Sequence, residues 1–466
     1  MNAPDLAELD ATVARARAAQ ARYGAAADQA LYDRAALAAG WAIMEPERNR
    51  RLAELAVRTT GLGNVADKIA KNHRKTLGLL RDIRGARTAG IVSDDPATGI
   101  TEVARPIGLI GAVVPSTNPA ATPANNVINA LKGGNAIVLS PSPKGVPACE
   151  TLIGYIHEEL SRAGIDPDLV QMVPPPGSKA KTQKLMETCD LVVATGSQDN
   201  VRRAYSSGTP AIGVGAGNVT VIVDETADPA QAARRIAASK TFDNATSCSS
   251  ENALVVVDAA YGAMVEALAA EGGALVEDEA RVVGRLFPGG HLSREVIARD
   301  AGPTVEALGL AGEVPDDTRF VVVPTEGIGP DHPLSGEKLS RVLALYRAAD
   351  FEDAAAIAER ILAHQGAGHS VGLHSAMDDR ALALARTLPT ARVIVNQAHC
   401  FATGGSFDNG MPFSLSMGCG SWGGNSIDGN LHWRHFIQTT KVVRTIPPRE
   451  PTTEEIFGDY LRETGR

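Results

Sequence analysis

The hydrophobic positions fall into two regimes along the chain. Residues 10 to about 40 are dense in Ala and Arg, both strong helix formers, and 49–82 continue the helical pattern with a break at 61–63. Beyond residue 90 the apolar residues gather into short runs. Gly-Ile-Val and Gly-Ile-Thr-Glu-Val flank the turn signal Asp94-Asp95-Pro96, which predicts a hairpin at about 90–103. Apolar runs at 107–114, 136–139, 169–173, 191–194 and 219–223 then alternate with helical stretches, among them 120–132 and about 147–163. Short continuous strands separated by helices imply a parallel sheet buried on both faces, with ligands beyond the carboxyl ends of its strands. A second α/β block starts near Asp224, with strands expected at about 253–257, 320–324, 370–373 and 393–396. A β-like run at 440–446 closes the pattern. That run and the hairpin have no evident place in a core, so they are expected to pair with another subunit.

Composition narrows the function classes. The 466 residues leave room for two or three domains at roughly 100–200 residues each. Aromatics are only 4% and glycines number 46, which favours close-packed small-residue helices and tight turns. A net charge of −9 offers no surplus of cations to a phosphate backbone, so nucleic acid is not an expected partner. The apolar stretch 210–223 is broken by Gly and falls short of the ~20 residues of a membrane span, so no membrane association is expected either. Asp5, Glu8 and Asp10 argue against a signal or transit peptide. The five cysteines (149, 189, 248, 400, 419) form no CxxC pair, as expected for reduced thiols of the cytoplasm.

Several residues carry candidate chemistry. Cys248 stands in Asp-Asn-Ala-Thr-Ser-Cys-Ser-Ser-Glu-Asn, between a helical stretch at 229–240 and the strand at 253–257. A thiol in a polar loop above a sheet can act as a nucleophile, whereas an arbitrary cysteine is most often inert and buried. Asn118 follows a strand end in Pro-Ser-Thr-Asn-Pro. Its amide can donate to an oxyanion developing on a carbonyl, or serve only as a turn former before Pro. Ala194-Thr-Gly196-Ser197 opens a helix after another strand and suits a phosphate at that helix N-terminus. Gly213-Val-Gly215-Ala-Gly217-Asn218 lets backbone approach a flat ligand, or is a simple connector. No GxGxxG fingerprint follows the first strand, so a conventional dinucleotide site is not expected. His432 and His435 lack further ligands nearby and are read as structural, so no metal is expected.

Taken in order, these pieces resemble the CoA-acylating branch of the aldehyde dehydrogenase superfamily over about residues 100–440. The likeness includes Glu337-Lys-Leu-Ser-Arg-Val-Leu and, most specifically, Leu415-Ser-Met-Gly-Cys-Gly-Ser-Trp-Gly-Gly-Asn-Ser426. The latter is similar to the aldehyde-oxidising half of bifunctional aldehyde/alcohol dehydrogenases. The resemblance implies an α/β fold with a doubly wound parallel-sheet cofactor domain at 1–225, bearing the hairpin arm at about 90–103. An α/β catalytic domain at 226–420 and a C-terminal segment at 421–466 follow, the tail strand serving oligomerisation as a homodimer or homotetramer. The implied nucleophile is Cys248, with Asn118 and the Cys248 backbone N–H as oxyanion donors. Glu337 is implied to hold the nicotinamide ribose, and Gly196, Ser197, Gly215 and Gly217 to join the cofactor site. The family binds its dinucleotide without the glycine fingerprint that is missing here.

Hydrolytic relatives carry a Glu at the position of Gly213, and residues 210–220 hold no carboxylate. Water attacks a thioester slowly without a base, so coenzyme A is expected to take the acyl group. His369 is a candidate base for the CoA thiol. A hydrolytic dehydrogenase and an inactive nucleotide-binding scaffold are the alternatives. By the same resemblance residues 140–144 meet the adenosine ribose. Ser140, Ser142 and Lys144 suit a 2′-phosphate and no acidic residue accompanies them, which favours NADP over NAD. Thr246, Ser247 and Ser249, with His399 on the loop 396–409, predict a polar substrate pocket. The string 396–409 is similar to the sulfoacetaldehyde dehydrogenases of bacterial taurine and sulfonate degradation. Sulfoacetaldehyde is therefore the expected small-molecule aldehyde; acetaldehyde, propanal and succinate semialdehyde stay open as alternatives.

Overall fold

The computed structural model describes residues 3–466. Four helices, α1 (Ala3–Ala26), α2 (Gln29–Met44), α3 (Pro46–Thr60) and α4 (Val65–Ile83), precede the first strand. The stretch expected as one helix to about residue 40 breaks at Ala27, whose φ of 44° leaves the right-handed region, and Asp28 then caps α2 through the Ala30 N–H. Leu9, Val13, Ala16 and Ala19 of α1 are buried in the main core, so the first helix packs on the body of the protein.

Strands β1 (Gly90–Asp95) and β2 (Ile100–Pro106) form the expected hairpin. Next come β3 (Leu109–Val114), β4 (Ala136–Pro141), β5 (Val170–Met172), β6 (Leu191–Ala194) and β7 (Ala211–Gly213). They make a parallel sheet in the order β5-β4-β3-β6-β7. Chain order reverses at β3, which opens a crevice at the carboxyl ends of the strands. Every residue of β3 is buried, which is why its run is apolar without alternation. Helices α5 (Ala121–Lys132), α6 (Val146–Arg162), α7 (Lys179–Thr188) and α8 (Gln198–Tyr205) connect these strands.

The second sheet comprises β8 (Val219–Val223), β9 (Glu251–Val257), β10 (Gly273–Leu275), β11 (Phe320–Pro324), β12 (Val342–Ala348), β13 (Val371–His374) and β14 (Val393–Val395). It is parallel, in the order β10-β11-β12-β9-β8-β13-β14. This corrects the sequence reading in two places. The run at 219–223, expected to close the first block, is an inner strand of the second sheet, so the chain crosses between sheets at 214–218 rather than near 225. β12 has no counterpart among the expected strands, because Val-Leu-Ala-Leu-Tyr-Arg-Ala is equally a helical string; neighbours on both sides make it a strand. The tail strand β15 (Ile437–Val443) pairs antiparallel with β2 of its own chain and completes a three-stranded sheet β1-β2-β15. Among the described residues no helix is long and apolar enough to cross a membrane.

Helix α4 has an unusual inward face. Lys68, Lys71, Asn72, Lys75 and Thr76 are buried there together with Leu79 and Ile83. Gly78 lets the helix press against the fully buried Phe413; a Cβ at this position would stand 2.3 Å from the ring. In an unhindered helix Gly→Ala stabilises by about 1 kcal/mol. Here we expect Gly78→Ala to lower the thermal midpoint instead, because overpacking against the Phe413 ring costs about 1–3 kcal/mol. A raised midpoint in a melting experiment would contradict the close contact.

Candidate active site

A cavity of about 890 Å³ opens between the two sheets. From the first sheet it is lined by the segments that follow β3, β4, β6 and β7; from the second, by the segments that precede β9 and β12. The strands of the first sheet thus present their carboxyl ends to it and those of the second their amino ends.

Cys248 lies in the loop between α9 (Pro229–Thr241) and β9 and lines this cavity. It is the one partly exposed cysteine; the other four are buried. Gly217 lies directly against it, where a Cβ would stand 2.1 Å from the Cys248 carbonyl oxygen. Burial pushes the Cys248 thiol up to about 12, and the Glu337 carboxyl and Cys419 push in the same direction. The chain reaches the loop through Asp243, Asn244 and Ala245, whose φ values of 48°, 54° and 58° are left-handed. That conformation costs roughly 1–2 kcal/mol per residue. Hydrogen bonds hold it in place. The Asp243 N–H donates to Asp67 Oδ2 at 2.7 Å, the Asn64 N–H donates to Asp243 Oδ1 at 3.1 Å, and Arg341 Nη2 donates to Asn244 Oδ1 at 2.6 Å.

Asn118 also lines the cavity, and Lys71 Nζ donates to its Oδ1 at 3.0 Å. An ammonium offers no acceptor, so it meets only the amide oxygen. Asn118 Nδ2 is thereby left as the donor available to the cavity, and the Cys248 N–H is likewise without a hydrogen-bond partner among the described residues. Lys71 and Lys68 both pair with the buried Asp243. Lys68 also donates to the Thr117 carbonyl at 3.0 Å, and Lys71 to Thr246 Oγ1 at 3.1 Å. Two ammoniums and one carboxylate therefore bind segment 117–118 to segment 243–246. Burial alone would push the Asp243 carboxyl up, but Lys71 and Lys68 outweigh it and hold the group below the ordinary carboxylate range.

The remaining expected site residues divide into those on the cavity and those away from it. Glu337, Gly196, Ser197, Gly215, Ser140 and Ser142 line it, as do Thr246, Ser247 and Ser249. Burial pushes the Glu337 carboxyl up to about 8 in spite of Lys338 and Lys240. Ser140 Oγ lies 2.8 Å from Thr182 Oγ1, whereas the buried hydroxyl of Ser142 has no partner among the described residues. Thr246 Oγ1 is taken by Asp243 Oδ2 at 2.7 Å. Lys144 is exposed and does not line the cavity; Lys179 of α7 does.

His399 is 1% exposed behind the wall, with Nε2 2.9 Å from Ser370 Oγ, so it is a core histidine and not a substrate ligand. His369 shares that hydroxyl at 2.7 Å, is buried and does not line the cavity, and burial pushes its pKa down to about 3. The loop around His399 closes on itself. Asn409 Oδ1 accepts from the Ser406 and Met411 N–H groups, and Thr403 Oγ1 donates to the His399 carbonyl. His432 and His435 close a short turn, the His432 N–H donating to His435 Nδ1 at 3.1 Å.

The sequence reading missed α4 as a wall of the site, although Lys71, Arg74 and Lys75 line the cavity. Its basic run reads as a solvated face; the usable signal is that 68, 71 and 75 share the helical stripe of Leu79. Breaking a buried ion pair costs about 3–5 kcal/mol, so we expect Asp243→Asn to lower both the thermal midpoint and the turnover rate. Because the folded carboxyl pKa is depressed, its contribution is present at neutral pH and is lost as pH falls through that depressed value. Thermal melts followed from pH 6 down to pH 2 should show an acid limb that is shallower in Asp243→Asn.

Comparison with known proteins places this geometry. The model of the aldehyde dehydrogenase family matches residues 1–414. A sulfoacetaldehyde dehydrogenase (acylating) of Cupriavidus necator is 56% identical over 98% of this chain and 93% of that protein. A protein of the same description from Bilophila wadsworthia is 39% identical over 93% of this chain and 94% of that one. Among solved structures, an acetylating aldehyde dehydrogenase from Geobacillus thermoglucosidasius superposes with a TM-score of 0.91 at 31% identity, covering 96% of this chain and 99% of that one. With Cys248 and Asn118 meeting on one cavity between two parallel sheets, the chain belongs to the aldehyde dehydrogenase family.

Proposed function

We propose that this cavity oxidises sulfoacetaldehyde with coenzyme A to sulfoacetyl-CoA, with NADP as hydride acceptor. The observation that carries the reading is Cys248 sharing a cavity with two free donors while position 213 has no base. A Cβ at Gly213 would stand 2.6 Å from Val201 Cγ1 and 2.9 Å from the Tyr205 ring, so there is also no room for one. The likeness to two sulfoacetaldehyde dehydrogenases (acylating) supports the choice of aldehyde. In this reading the β3–β7 unit takes the dinucleotide and the β8–β14 unit presents the nucleophile. The largely exposed sheet β1-β2-β15 serves assembly into a homodimer or homotetramer.

The Cys248 thiolate adds to the aldehyde carbon, and Asn118 Nδ2 and the Cys248 N–H donate to the resulting oxyanion. Loss of one such donor typically costs about 10²–10³ in kcat. A bound nicotinamide dinucleotide supplies the hydride acceptor. The cavity suits it: the unpartnered Ser142 hydroxyl, the start of α8 at Ser197, Gly215, Gly217 and Glu337 line it from the end of β4 towards Cys248. Glu337 serves the ribose. Loss of hydride leaves a thioester on Cys248. The CoA thiol attacks that thioester, the same two donors hold the second oxyanion, and Cys248 departs as thiolate.

The segment after β4 lines the cavity with Ser140, Pro141, Ser142, Pro143 and Val146, and brings no carboxylate to repel a 2′-phosphate. Lys179 takes the role first given to Lys144.

Two measurements test this reading. With CoA, sulfoacetaldehyde and NADP the enzyme should turn over steadily; without CoA it should yield at most a burst of NADPH equivalent to the sites. Cys248→Ala should abolish turnover while NADP still binds, and Cys149→Ala should stay active. Undiminished steady release of free acid without CoA would refute the acyl transfer. Separately, kcat/KM should be higher with NADP than with NAD, and a clear preference for NAD would reverse the cofactor assignment.

A further inference from the structure

Arg74 and Lys75 are adjacent on α4, and both line the cavity that contains Cys248. Their hydrogen bonds go to neutral oxygens. Lys75, 8% exposed, donates to the Gly404 carbonyl at 2.6 Å. Arg74 Nη2 donates to Ser406 Oγ at 2.8 Å, and both terminal nitrogens reach the Phe401 carbonyl at 3.4 Å. Among the described residues neither cation has a carboxylate within ion-pair distance. Lys71 beside them is different, because Asp243 neutralises it. Asp408, the acidic residue closest in sequence to Ser406, is exposed and bonded to the Ser406 hydroxyl, and attracts Arg74 only from beyond ion-pair distance. The carboxylates on the cavity are Glu337, before β12, and Asp199, on α8.

A cation buried without a counter-charge is costly, and proteins normally supply a partner. Here Lys75 is buried and Arg74 half-buried, and no carboxylate is in contact with either. The rings of Phe401, Phe413 and Phe407 lie 5.1, 5.5 and 5.9 Å from the Arg74 guanidinium and orient it through their faces. Burial pushes Lys75 down to about 7, the direction taken by an ammonium without a counter-charge. Lys75 lies one helical turn along α4 from Lys71, which bonds Asn118 and Thr246, so this charge stands at the Cys248 end of the cavity.

We propose that Arg74 and Lys75 seat the anionic end of the aldehyde substrate while its carbonyl carbon stands at Cys248, and so make the site selective for anionic over neutral aldehydes. This rests on the reading of the cavity as an aldehyde-oxidising site. In sulfoacetaldehyde the sulfur is two bonds from the carbonyl carbon, so its seat must lie beside the nucleophile. Three sulfonate oxygens can accept from a guanidinium and an ammonium together. The seat moves recognition away from Thr246, whose hydroxyl is already engaged by Asp243.

The test is the ratio of kcat/KM for sulfoacetaldehyde to kcat/KM for propanal, measured in wild type, Arg74→Gln, Arg74→Lys and Lys75→Met at saturating CoA and NADP. A ratio does not depend on the folded fraction, so partial misfolding cannot mimic the effect. Loss of a hydrogen bond to a charged group lowers binding about 10–100-fold. We expect the ratio to fall by about that factor in Arg74→Gln and Lys75→Met, and less in Arg74→Lys. Without substrate or cofactor, ethanesulfonate should raise the thermal midpoint of the wild type and not that of Lys75→Met. A wild type that prefers propanal overturns the sulfonate substrate and the seat together. A wild type that prefers sulfoacetaldehyde, with a ratio within about threefold of its own in both charge-removing variants, overturns the seat alone. A raised KM for CoA with an unchanged ratio also overturns it, and assigns the cations to the CoA phosphates.

Discussion

One buried carboxylate, Asp243, shared by Lys68 and Lys71, holds the site together. Isolated ions in a protein interior cost several kcal/mol each, so these three groups are stable only in one another's company. Their positions make that requirement structural. The lysines belong to α4, the carboxylate to the loop that leads to Cys248, and the same ammoniums reach Thr117 and Asn118 beyond β3. Charge satisfaction thus sets the distance between Cys248 and Asn118, which come from different sheets.

The same pairs determine which atom of Asn118 faces the reaction. A side-chain amide can turn either end to a cavity, but only its oxygen can accept from Lys71. The orientation of the Asn118 amide is therefore decided by its bond to Lys71. The three left-handed residues at 243–245 belong to this arrangement. Their conformational cost is met by hydrogen bonds to Asp67 and from Asn64 and Arg341 rather than by glycine.

Helix α4 has three duties along one stripe. Lys68 and Lys71 join the two halves of the site, Lys75 with Arg74 gives the cavity a positive wall, and Gly78 admits the Phe413 ring that locks the helix against the 399–413 loop. That loop shows how a polar string can be silent toward a ligand. Asn409 and Thr403 close its own turns, His399 bonds Ser370 in the core, and what it presents to the cavity is Cys400, Phe401 and Gly404.

The local pattern by itself determined much of this protein. Continuous apolar runs flanked by helices specified parallel strands buried on both faces, and the polar setting of Cys248 and the strand-end position of Asn118 marked both before any contact was known. Short-range patterning carries such information because burial on both faces and turn chemistry act over a few residues. It could not say which sheet β8 joins or that Val342–Ala348 is a strand, since pairing partners lie tens of residues away. Nor could it tell a solvated lysine from one facing a buried carboxylate, or a ligand histidine from His399 in the core. Lys71 meets Asp243 across 172 positions and Arg74 meets Ser406 across 332, so only the folded chain decides where those charges end up.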